Sequence, residues 1–466
     1  MDQNRLRIAV WHNLPSGGGK RALYEHVRGL IQRGHYIEAW CPPTASQTYL
    51  PLSPMIKEHI RPLNHLLERP QRYSLARAFH RYNSTVFALN AMEEHCRTCV
   101  DEIETGRFDV IFANACTLFG TSPIGRLTNL PSVLYMQEPY RSLFEARPKL
   151  PWEFPNRKPI PRLLSVSTWT SKWRDLQRVW AARLQLTEEI RNAKGFSRIL
   201  VNSLFSRESV VRAYGVESDV CYLGIDSDRF PLVNGRRERQ MISVGFLYFG
   251  KGPDRALKAI ASIPEVQRPR LFWVGNGADP EYLNDIKRLA EELEVDFVFK
   301  SNVDESTIIS YLQQSFAMIY TPRLEPFGYA PLEANLCGLP VVGIAEGGIR
   351  ETIIDGVNGF LSPTEDPERL GNLVKQLMED VAETEELRRR GRQHVINAWP
   401  TDKATQRLEQ RLAEVIQQST GTLSPILATS ASTTGRYSSS IARINCRTSE
   451  KRLLFGARNA AGRMPR

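Results

Sequence analysis

The chain alternates apolar strand patterns with amphipathic helix patterns from its first residues onward. The segment LRIAVWHN, at 6–13, is followed by the loop PSGGGK and then by RALYEHVRGLIQRG, where apolar residues recur at helical spacing before a glycine. HYIEAWCP, at 35–42, then restarts the strand pattern. A strand, a loop, a helix and a second strand in this order are typical of a doubly wound parallel sheet, so the sequence predicts an α/β fold.

The predicted strands fall into two series separated by helical stretches. The first series continues at 108–115, 131–139, 197–203 and 219–226. The second series lies at 240–252, 270–279, 295–302, 316–322 and 339–348. Because the two series meet near 227–239, we predict two Rossmann-like domains facing an interdomain cleft. Ligands of such sheets bind beyond the carboxyl ends of the strands, where most of the glycine-rich loops of this sequence lie.

The predicted organisation has four parts. They are an N-terminal Rossmann-like domain at 1–229, a C-terminal one at 230–400, a helix at 401–418 that crosses back to the first domain, and a tail at 419–466. The tail is rich in Ser, Thr and Arg and lacks a periodic apolar face, which predicts disorder.

Chain length, net charge and cysteine content limit the number of domains, the partners and the cellular compartment that we expect. A chain of 466 residues exceeds what one core usually supports. The net charge is +10, but the tail carries +7 of it, so we expect no nucleic-acid partner. Seven scattered cysteines, no apolar leader and no apolar run of about 18–20 residues predict a cytoplasmic protein with reduced thiols.

The most specific motif is LEPFGYAPLEANLCG, at 324–338, which contains two glutamates eight positions apart. Pro326 disfavours helix at Glu325, so Glu325 is predicted in a loop. Pro331 fits the first turn of a helix, which places Glu333 in that first turn. The spacing is therefore not a helical repeat but a loop followed by a helix start.

The stretch between the two glutamates is a predicted anion site. Gly328 permits close backbone approach, and the N–H groups of 327–330 would lie free at the start of the helix. Ionised carboxylates accept hydrogen bonds from neighbouring sugar hydroxyls. A ligand with hydroxyls at both ends and phosphates in the middle, such as a nucleotide-sugar, fits this layout. A solvated loop glutamate followed by a helix-terminal one is the alternative interpretation of the bare spacing.

Three other kinds of motif could bind phosphate or metal, but each also has a purely structural interpretation. PSGGGKR lacks the first glycine and the Ser/Thr of a P-loop, so its glycines predict an anion-binding turn instead. Lys251, after a strand, offers a point charge to a phosphate or is a solvated loop lysine. The DSD at 226–228 lies in a turn of the linker region, and the lone CxxC at 96–99 has no second pair at the spacing of a zinc site. We therefore predict no metal and no cofactor.

Taken together, EPFGYAPLEANLCGLPVVGIAEGGIRETIIDGVNGFL, SGGG, YLGID, SVGFLYFGKGPDRAL and WVGNG resemble the motifs of retaining GT-B glycosyltransferases of glycosyltransferase family four. The resemblance covers roughly 5–418. It implies a GT-B fold and an N-terminal acceptor-binding domain followed by a nucleotide-sugar-binding domain. It also implies transfer of a hexose with retention of anomeric configuration, and domain closure that excludes water.

The resemblance also assigns roles to single residues. It implies that Glu325 contacts the transferred sugar and that Glu333 holds the ribose. Lys251 would offset the charge of the diphosphate, which needs no metal. The remaining substrate-binding residues are Gly18 and Gly19 in the first domain and Phe327, Gly328, Tyr329 and Ala330 in the second.

Two positions depart from the family pattern. Phe246 stands where the family usually has a phosphate-binding Arg, so Arg323 or Arg21 would have to replace that charge. Gln137 stands where the family's first domain often places a His near the reacting sugar. We include Gln137 as a catalytic residue, although an amide cannot take a proton.

Residues 141–191 are an apparent insertion with eleven Lys/Arg and five Asp/Glu. Trp169, Trp173, Leu176 and Trp180 recur at helical spacing. Such a helix fits peripheral contact with the inner face of the membrane, or a lipid-linked acceptor. It equally fits a core-packing helix with basic residues at its surface.

The sequence thus predicts a glycosyltransferase that moves a hexose from a nucleotide-diphosphate sugar to a saccharide or lipid-linked acceptor, in polysaccharide or glycolipid synthesis. The alternatives are a non-catalytic nucleotide-sugar-binding subunit of the same fold, and another sugar-phosphate enzyme.

Overall fold

A computed structural model of the chain describes residues 5–64, 80–145, 166–233, 235 and 237–421. Within these residues two parallel sheets are formed. The seven-stranded sheet has the order β3-β2-β1-β4-β5-β6-β7, and the six-stranded sheet has the order β10-β9-β8-β11-β12-β13. The predicted α/β fold with two Rossmann-like domains is therefore confirmed.

The strands of the first sheet are β1 Arg7–Asn13, β2 Tyr36–Cys41, β3 Lys57–Ile60, β4 Val110–Cys116, β5 Ser132–Tyr135, β6 Arg198–Val201 and β7 Asp219–Val220. Those of the second are β8 Gln240–Val244, β9 Arg270–Gly275, β10 Phe297–Ser301, β11 Ala317–Tyr320, β12 Val341–Ile344 and β13 Gly359–Ser362. Strands β5 and β12 are buried at every position. Helices cover both faces of parallel sheets, so the sequences of such strands are continuous apolar runs.

Fourteen α-helices lie among the described residues. They are α1 Gly18–Gln32, α2 His80–Thr105, α3 Ile124–Leu127, α4 Arg141–Phe144, α5 Val166–Ala193, α6 Leu204–Tyr214, α7 Pro253–Ala261, α8 Pro280–Glu292, α9 Glu305–Gln314, α10 Tyr329–Leu336, α11 Ile349–Thr352, α12 Pro367–Glu379, α13 Val381–Ala398 and α14 Thr401–Thr420. Capping residues determine where several helices begin. Asp279 and Asp366 accept N-terminal N–H groups, and a proline follows each of them in the first turn.

The eleven predicted strand segments all contain strands, but two strands were not predicted. Edge strand β3 has no fully buried position, and β13 is a four-residue segment that starts with glycine. Neither has a long apolar run that the sequence could show. The segment predicted as strand over 219–226 pairs in the sheet only at Asp219–Val220, while Ile225 forms an isolated bridge with Pro400.

Helix α14 packs against the first sheet domain rather than the second. Its Leu408 and Leu412 belong to the same apolar cluster as Leu23 and Val27 of α1. Its Glu409 accepts a hydrogen bond from the side chain of Arg33 at 2.7 Å. The chain thus returns to the first domain after completing the second, although the exact domain boundaries stay a prediction.

The two domains also touch along the cleft between them. Glu351 of α11 accepts hydrogen bonds from the N–H groups of Leu204 at 2.9 Å and Phe205 at 3.1 Å, at the start of α6. Ser203 donates to the carbonyl of Pro326 at 2.6 Å. A carboxylate from one domain therefore caps a helix of the other.

Part of the basic insertion and most of the tail, 146–165 and 422–466, lie outside the described residues. In the described part, Trp173 and Trp180 of α5 meet edge to face, with ring centroids 5.8 Å apart. The ring of Trp180 also meets that of Tyr82 in α2. No helix among the described residues combines the length and apolar composition needed to cross a bilayer.

Candidate active site

The motif at 324–338 forms a loop that leads from β11 into α10. Gly328, with φ of +93°, ends the loop immediately before α10 begins. Leu324 also has a positive φ of +52°, which is uncommon for a residue with a side chain. The carbonyl of Glu325 accepts a hydrogen bond from the N–H of Gly348 at 2.7 Å. Glu325 thus lies in the loop, as the sequence reasoning predicted.

Glu325 is paired with Lys251. The Nζ of Lys251 lies 2.6 Å from an Oε of Glu325, and both side chains are largely buried. Burial alone would lower the pKa of Lys251, but the Glu325 carboxylate overrides it and raises the pKa above its usual value. Lys251, in the turn between β8 and α7, is therefore held in its charged form.

Glu333 lies in the second turn of α10, one turn later than predicted, and is 6% exposed. Its carboxylate accepts a hydrogen bond from the guanidinium of Arg21, which belongs to α1 of the first domain. Arg21 also donates to Glu305 of α9. One arginine of the first domain therefore bridges two carboxylates of the second, at the position predicted to hold a ribose.

The glycine loop of the first domain faces α10. A Cβ on Gly18 would stand 3.7 Å from the ring of Tyr329, and one on Gly19 would stand 3.2 Å from the side-chain amide of Gln137. Gln137 donates to the carbonyl of Gly19 at 3.3 Å. The structure thus brings Gly18, Gly19 and Gln137 to the wall of the cleft opposite the motif.

The other predicted residues of the motif contribute mainly packing and backbone. Phe327 is buried, with its ring 5.3 Å from that of Trp399. The hydroxyl of Tyr329 is buried without a hydrogen-bond partner among the described residues. Tyr329 and Ala330 open α10, so their N–H groups lack intrahelical acceptors and can meet an anion.

Arg323 and Arg21, the two arginines considered as replacements for the charge missing at Phe246, differ in surroundings. Arg323 is directed to Glu346 and Glu365 and is 45% exposed. Arg21 is 11% exposed and faces the cleft. Phe246 itself is exposed and lies over Gly277, where a Cβ would approach its ring to 2.9 Å. Arg21 is therefore the better placed of the two for a phosphate.

Sequence reasoning did not select Glu138, which the structure places beside this group. Glu138 follows β5, and its Oε2 lies 3.4 Å from the Nε of Arg141. The side chain of Glu138 is 41% exposed, but its Oε2 atom is buried. Burial raises the pKa of Glu138, and the charge of Glu325 adds to this effect. A carboxylate shortly after a strand at the ligand-binding edge of the sheet was the available signal. Arg141 is near it in sequence, but the charges of Glu325 and Lys251 come from the second domain.

The motifs set aside above have structural roles. Asp226 of the DSD turn accepts a hydrogen bond from Arg28 at 2.7 Å. Cys96 and Cys99 are both buried, and burial raises the pKa of each thiol. All six described cysteines are free.

A second polar group lies at the edge of the first sheet. Ligand atoms of His12, Cys41 and Glu58 lie within 4.8 Å of one another. The ammonium of Lys20 is buried beside them without a hydrogen-bond partner among the described residues, and burial lowers its pKa. Sequence reasoning did not identify this cluster, whose residues come from β1, α1, β2 and β3.

Residues 224–394 match the sequence profile of a known family. That family is glycosyl transferases group 1. The match covers the second domain, including the motif and Lys251.

Curated relatives resemble part of the chain. The glycogen synthase of Mycobacterium tuberculosis strain H37Rv is 29% identical over 188 residues, which is 38% of this chain and 44% of that protein. The D-inositol 3-phosphate glycosyltransferase of Xylanimonas cellulosilytica is 28% identical over 194 residues, or 37% and 46% of the two chains. The chain thus matches less than half the length of either relative.

Solved structures extend the likeness to both domains. The Anabaena protein HepE, in complex with UDP and glucose, superposes with a TM-score of 0.62 at 18% identity, over 88% of this chain and 100% of HepE. The sucrose-phosphate synthase of Thermosynechococcus elongatus superposes with a TM-score of 0.61 at 18% identity, over 89% and 100% of the chains. At such low identity these likenesses establish the GT-B fold.

Proposed function

We propose that the protein is a glycosyltransferase that moves a hexose from a nucleotide-diphosphate sugar to a saccharide or lipid-linked acceptor, with retention of anomeric configuration. The observation that carries the proposal is the pairing of Glu325 with Lys251 at 2.6 Å, directly before the helix start at Gly328. A carboxylate for sugar hydroxyls, a cation for phosphate and free N–H groups thus lie together.

In this proposal the donor lies along the motif. Its sugar contacts Glu325, its diphosphate lies over Gly328 and the N–H groups of Tyr329 and Ala330, and its ribose contacts Glu333. Binding exchanges the Arg21–Glu333 pair for a ribose contact and releases the Arg21 guanidinium towards the phosphates. Guanidinium groups and phosphates form strong charge-assisted hydrogen bonds.

The chemical step then depends on stabilising the departing diphosphate. Negative charge develops on the phosphate oxygen as the bond to the sugar breaks. Lys251, Arg21 and the start of α10 are fixed positive groups around that position, and preorganised groups of this kind are the largest source of catalysis in many enzymes. Contacts between the domains, such as Glu351 with the start of α6, would hold the cleft closed to water.

For the acceptor side we propose that the first domain binds a saccharide or lipid-linked acceptor, in polysaccharide or glycolipid synthesis. The basic segment 141–191 would lie against the inner face of the membrane. The free cysteines fit a cytoplasmic location. The packing of Trp180 on Tyr82 of α2 fits the alternative, a helix that mainly covers the domain.

The test is a screen of UDP- and GDP-sugars for nucleotide release, comparing wild type with Glu325→Gln. We expect kcat to fall by about 100-fold or more, because the variant loses a charge that acts on the reacting sugar. Glu379→Gln, which breaks the exposed Lys375–Glu379 pair, is the matched control and should keep wild-type kcat. Binding of a donor without turnover would instead indicate a non-catalytic subunit.

A further inference from the structure

A histidine, a cysteine and a glutamate meet at one end of the first sheet. His12 is the next-to-last residue of β1, Cys41 is the last residue of β2, and Glu58 lies in edge strand β3. These three strands are neighbours in the sheet. The side chains of His12 and Glu58 are 0% and 3% exposed, and Cys41 is fully buried. None of the three has a role in the donor site proposed above.

The separations within this group match those of ligands around one metal ion. The Nε2 of His12 lies 3.1 Å from Oε1 of Glu58, and the Sγ of Cys41 lies 3.7 Å from the same oxygen. Tetrahedral zinc, with bonds of about 2.0–2.3 Å, places its ligand atoms about 3.3–3.6 Å apart. Gln47 donates a hydrogen bond to the Cys41 sulfur at 3.4 Å, as an outer partner of a thiolate ligand would.

Two buried nitrogen atoms at this group lack a hydrogen-bond partner. They are Nζ of Lys20, in the first turn of α1, and Nδ1 of His12, and neither is paired with any of the described residues. Lys20 has no exposed surface, and its charge acts on both Glu58 and Cys41. Buried polar atoms are nearly always paired, so orphaned atoms around one group indicate a bound ion or water molecule.

The ligand types select among metals. Imidazole nitrogen and thiolate sulfur are ligands of zinc and similar transition metals, whereas magnesium and calcium prefer oxygen. A thiolate and a carboxylate together neutralise a divalent cation, so the loaded site carries no net charge into the interior. A water molecule in the fourth position would also give the Lys20 ammonium the acceptor that it lacks among the described residues.

We propose that His12, Cys41 and Glu58 bind a zinc ion, with a water molecule hydrogen-bonded to Lys20 as the fourth ligand. The ion takes the place of the His12–Glu58 hydrogen bond and of the Cys41 thiol proton, which passes to solvent when the site is loaded. Its role is structural, because it joins three strands of the sheet and, through Lys20, the start of α1. Sequence motifs did not reveal it, since neither the DSD turn nor the CxxC pair contributes a ligand.

The test is the zinc content of the full chain, produced without a histidine tag and dialysed against metal-free buffer with a phosphine reductant. Elemental analysis should find about one zinc per wild-type chain, and less than about 0.2 per chain in Cys41→Ser. Removal of zinc by a chelator should lower the melting temperature of wild type by at least about 3 °C, and readdition should restore it. Cobalt in place of zinc should show a thiolate charge-transfer absorption band that Cys41→Ser lacks.

Cys116→Ser is the matched control, because it makes the same change in another buried cysteine of the first sheet, whose Sγ accepts a hydrogen bond from Asn13 at 3.2 Å. It should keep about one zinc per chain. Glu58→Gln retains the shape of the side chain and should lose zinc as Cys41→Ser does, so the outcome does not depend on the folding of one variant. Less than about 0.2 zinc per wild-type chain, or equal zinc in wild type and Cys41→Ser, would overturn the site and indicate a metal-free hydrogen-bonded group.

Discussion

Arg21 occupies the position where the motif predicts a ribose. It donates hydrogen bonds to Glu333 and Glu305, so these ion pairs join the two domains, and the proposed binding mode requires the donor to open the pair with Glu333. The same side chain is also the cation best placed to compensate for Phe246. Arg21 can therefore act as a competitor of the ribose or as a ligand of the phosphates, and the two roles predict opposite effects on donor affinity.

We predict that Arg21→Ala weakens donor binding by about 10–100-fold, which corresponds to one lost charge-assisted hydrogen-bonded contact of about 1.5–3 kcal/mol. Arg323→Ala, whose partners Glu346 and Glu365 lie at an exposed site, should change the donor Kd by less than about threefold. Calorimetric titration of both variants with the same donor measures the difference. Tighter binding by Arg21→Ala would assign Arg21 to competition with the ribose.

The loop of Glu325 is shaped by the glycines that pack on it. Gly347 has φ of +69°, and a Cβ there would stand 2.5 Å from the carbonyl oxygen of Glu325. Gly356 has nearly the same conformation, with φ of +72°, but a Cβ there would meet nothing within 4 Å. The two glycines therefore share the cost of a left-handed conformation, and of the two it is Gly347 that packs against the Glu325 loop.

We predict that Gly347→Ala displaces Glu325 and lowers kcat by at least about tenfold, since small misplacements of reacting groups are costly. Gly356→Ala should lose about 1 kcal/mol of stability and keep its kcat. Melting temperatures and steady-state rates of the two variants provide the measurement. Equal kcat values in both variants would show that the position of Glu325 does not depend on Gly347.

The same loop shows what the sequence could and could not reveal. Pro326, Gly328 and Pro331 have local conformational preferences, so the break between Glu325 and the helix was predictable. The partners were not, because the Arg21–Glu333 contact joins residues 312 positions apart. The neighbours of Glu138 on the second domain are similarly remote. Strand β3 was missed because an edge strand carries no continuous apolar run.

Residues from both domains line the cleft between them. The second domain supplies Glu325, Lys251 and the start of α10, whereas the first supplies Arg21, the glycine loop and Glu138. Helix α14 packs against α1 of the first domain. Glu351 of the second domain caps the start of α6 in the first domain. A donor that contacts both domains is therefore expected to stabilise the whole chain in proportion to its occupancy.

Donor binding across this cleft is the most direct test of the account. The measurement is calorimetric titration of the full chain with UDP-glucose and GDP-mannose, comparing wild type, Glu333→Ala and Glu305→Ala. We predict that at least one donor binds wild type with a stoichiometry of one. Glu333→Ala should weaken that donor by about tenfold or more through lost ribose hydrogen bonds, whereas Glu305→Ala, the other partner of Arg21, should stay within about threefold. Binding by neither donor, or equal binding by wild type and Glu333→Ala, would contradict the account.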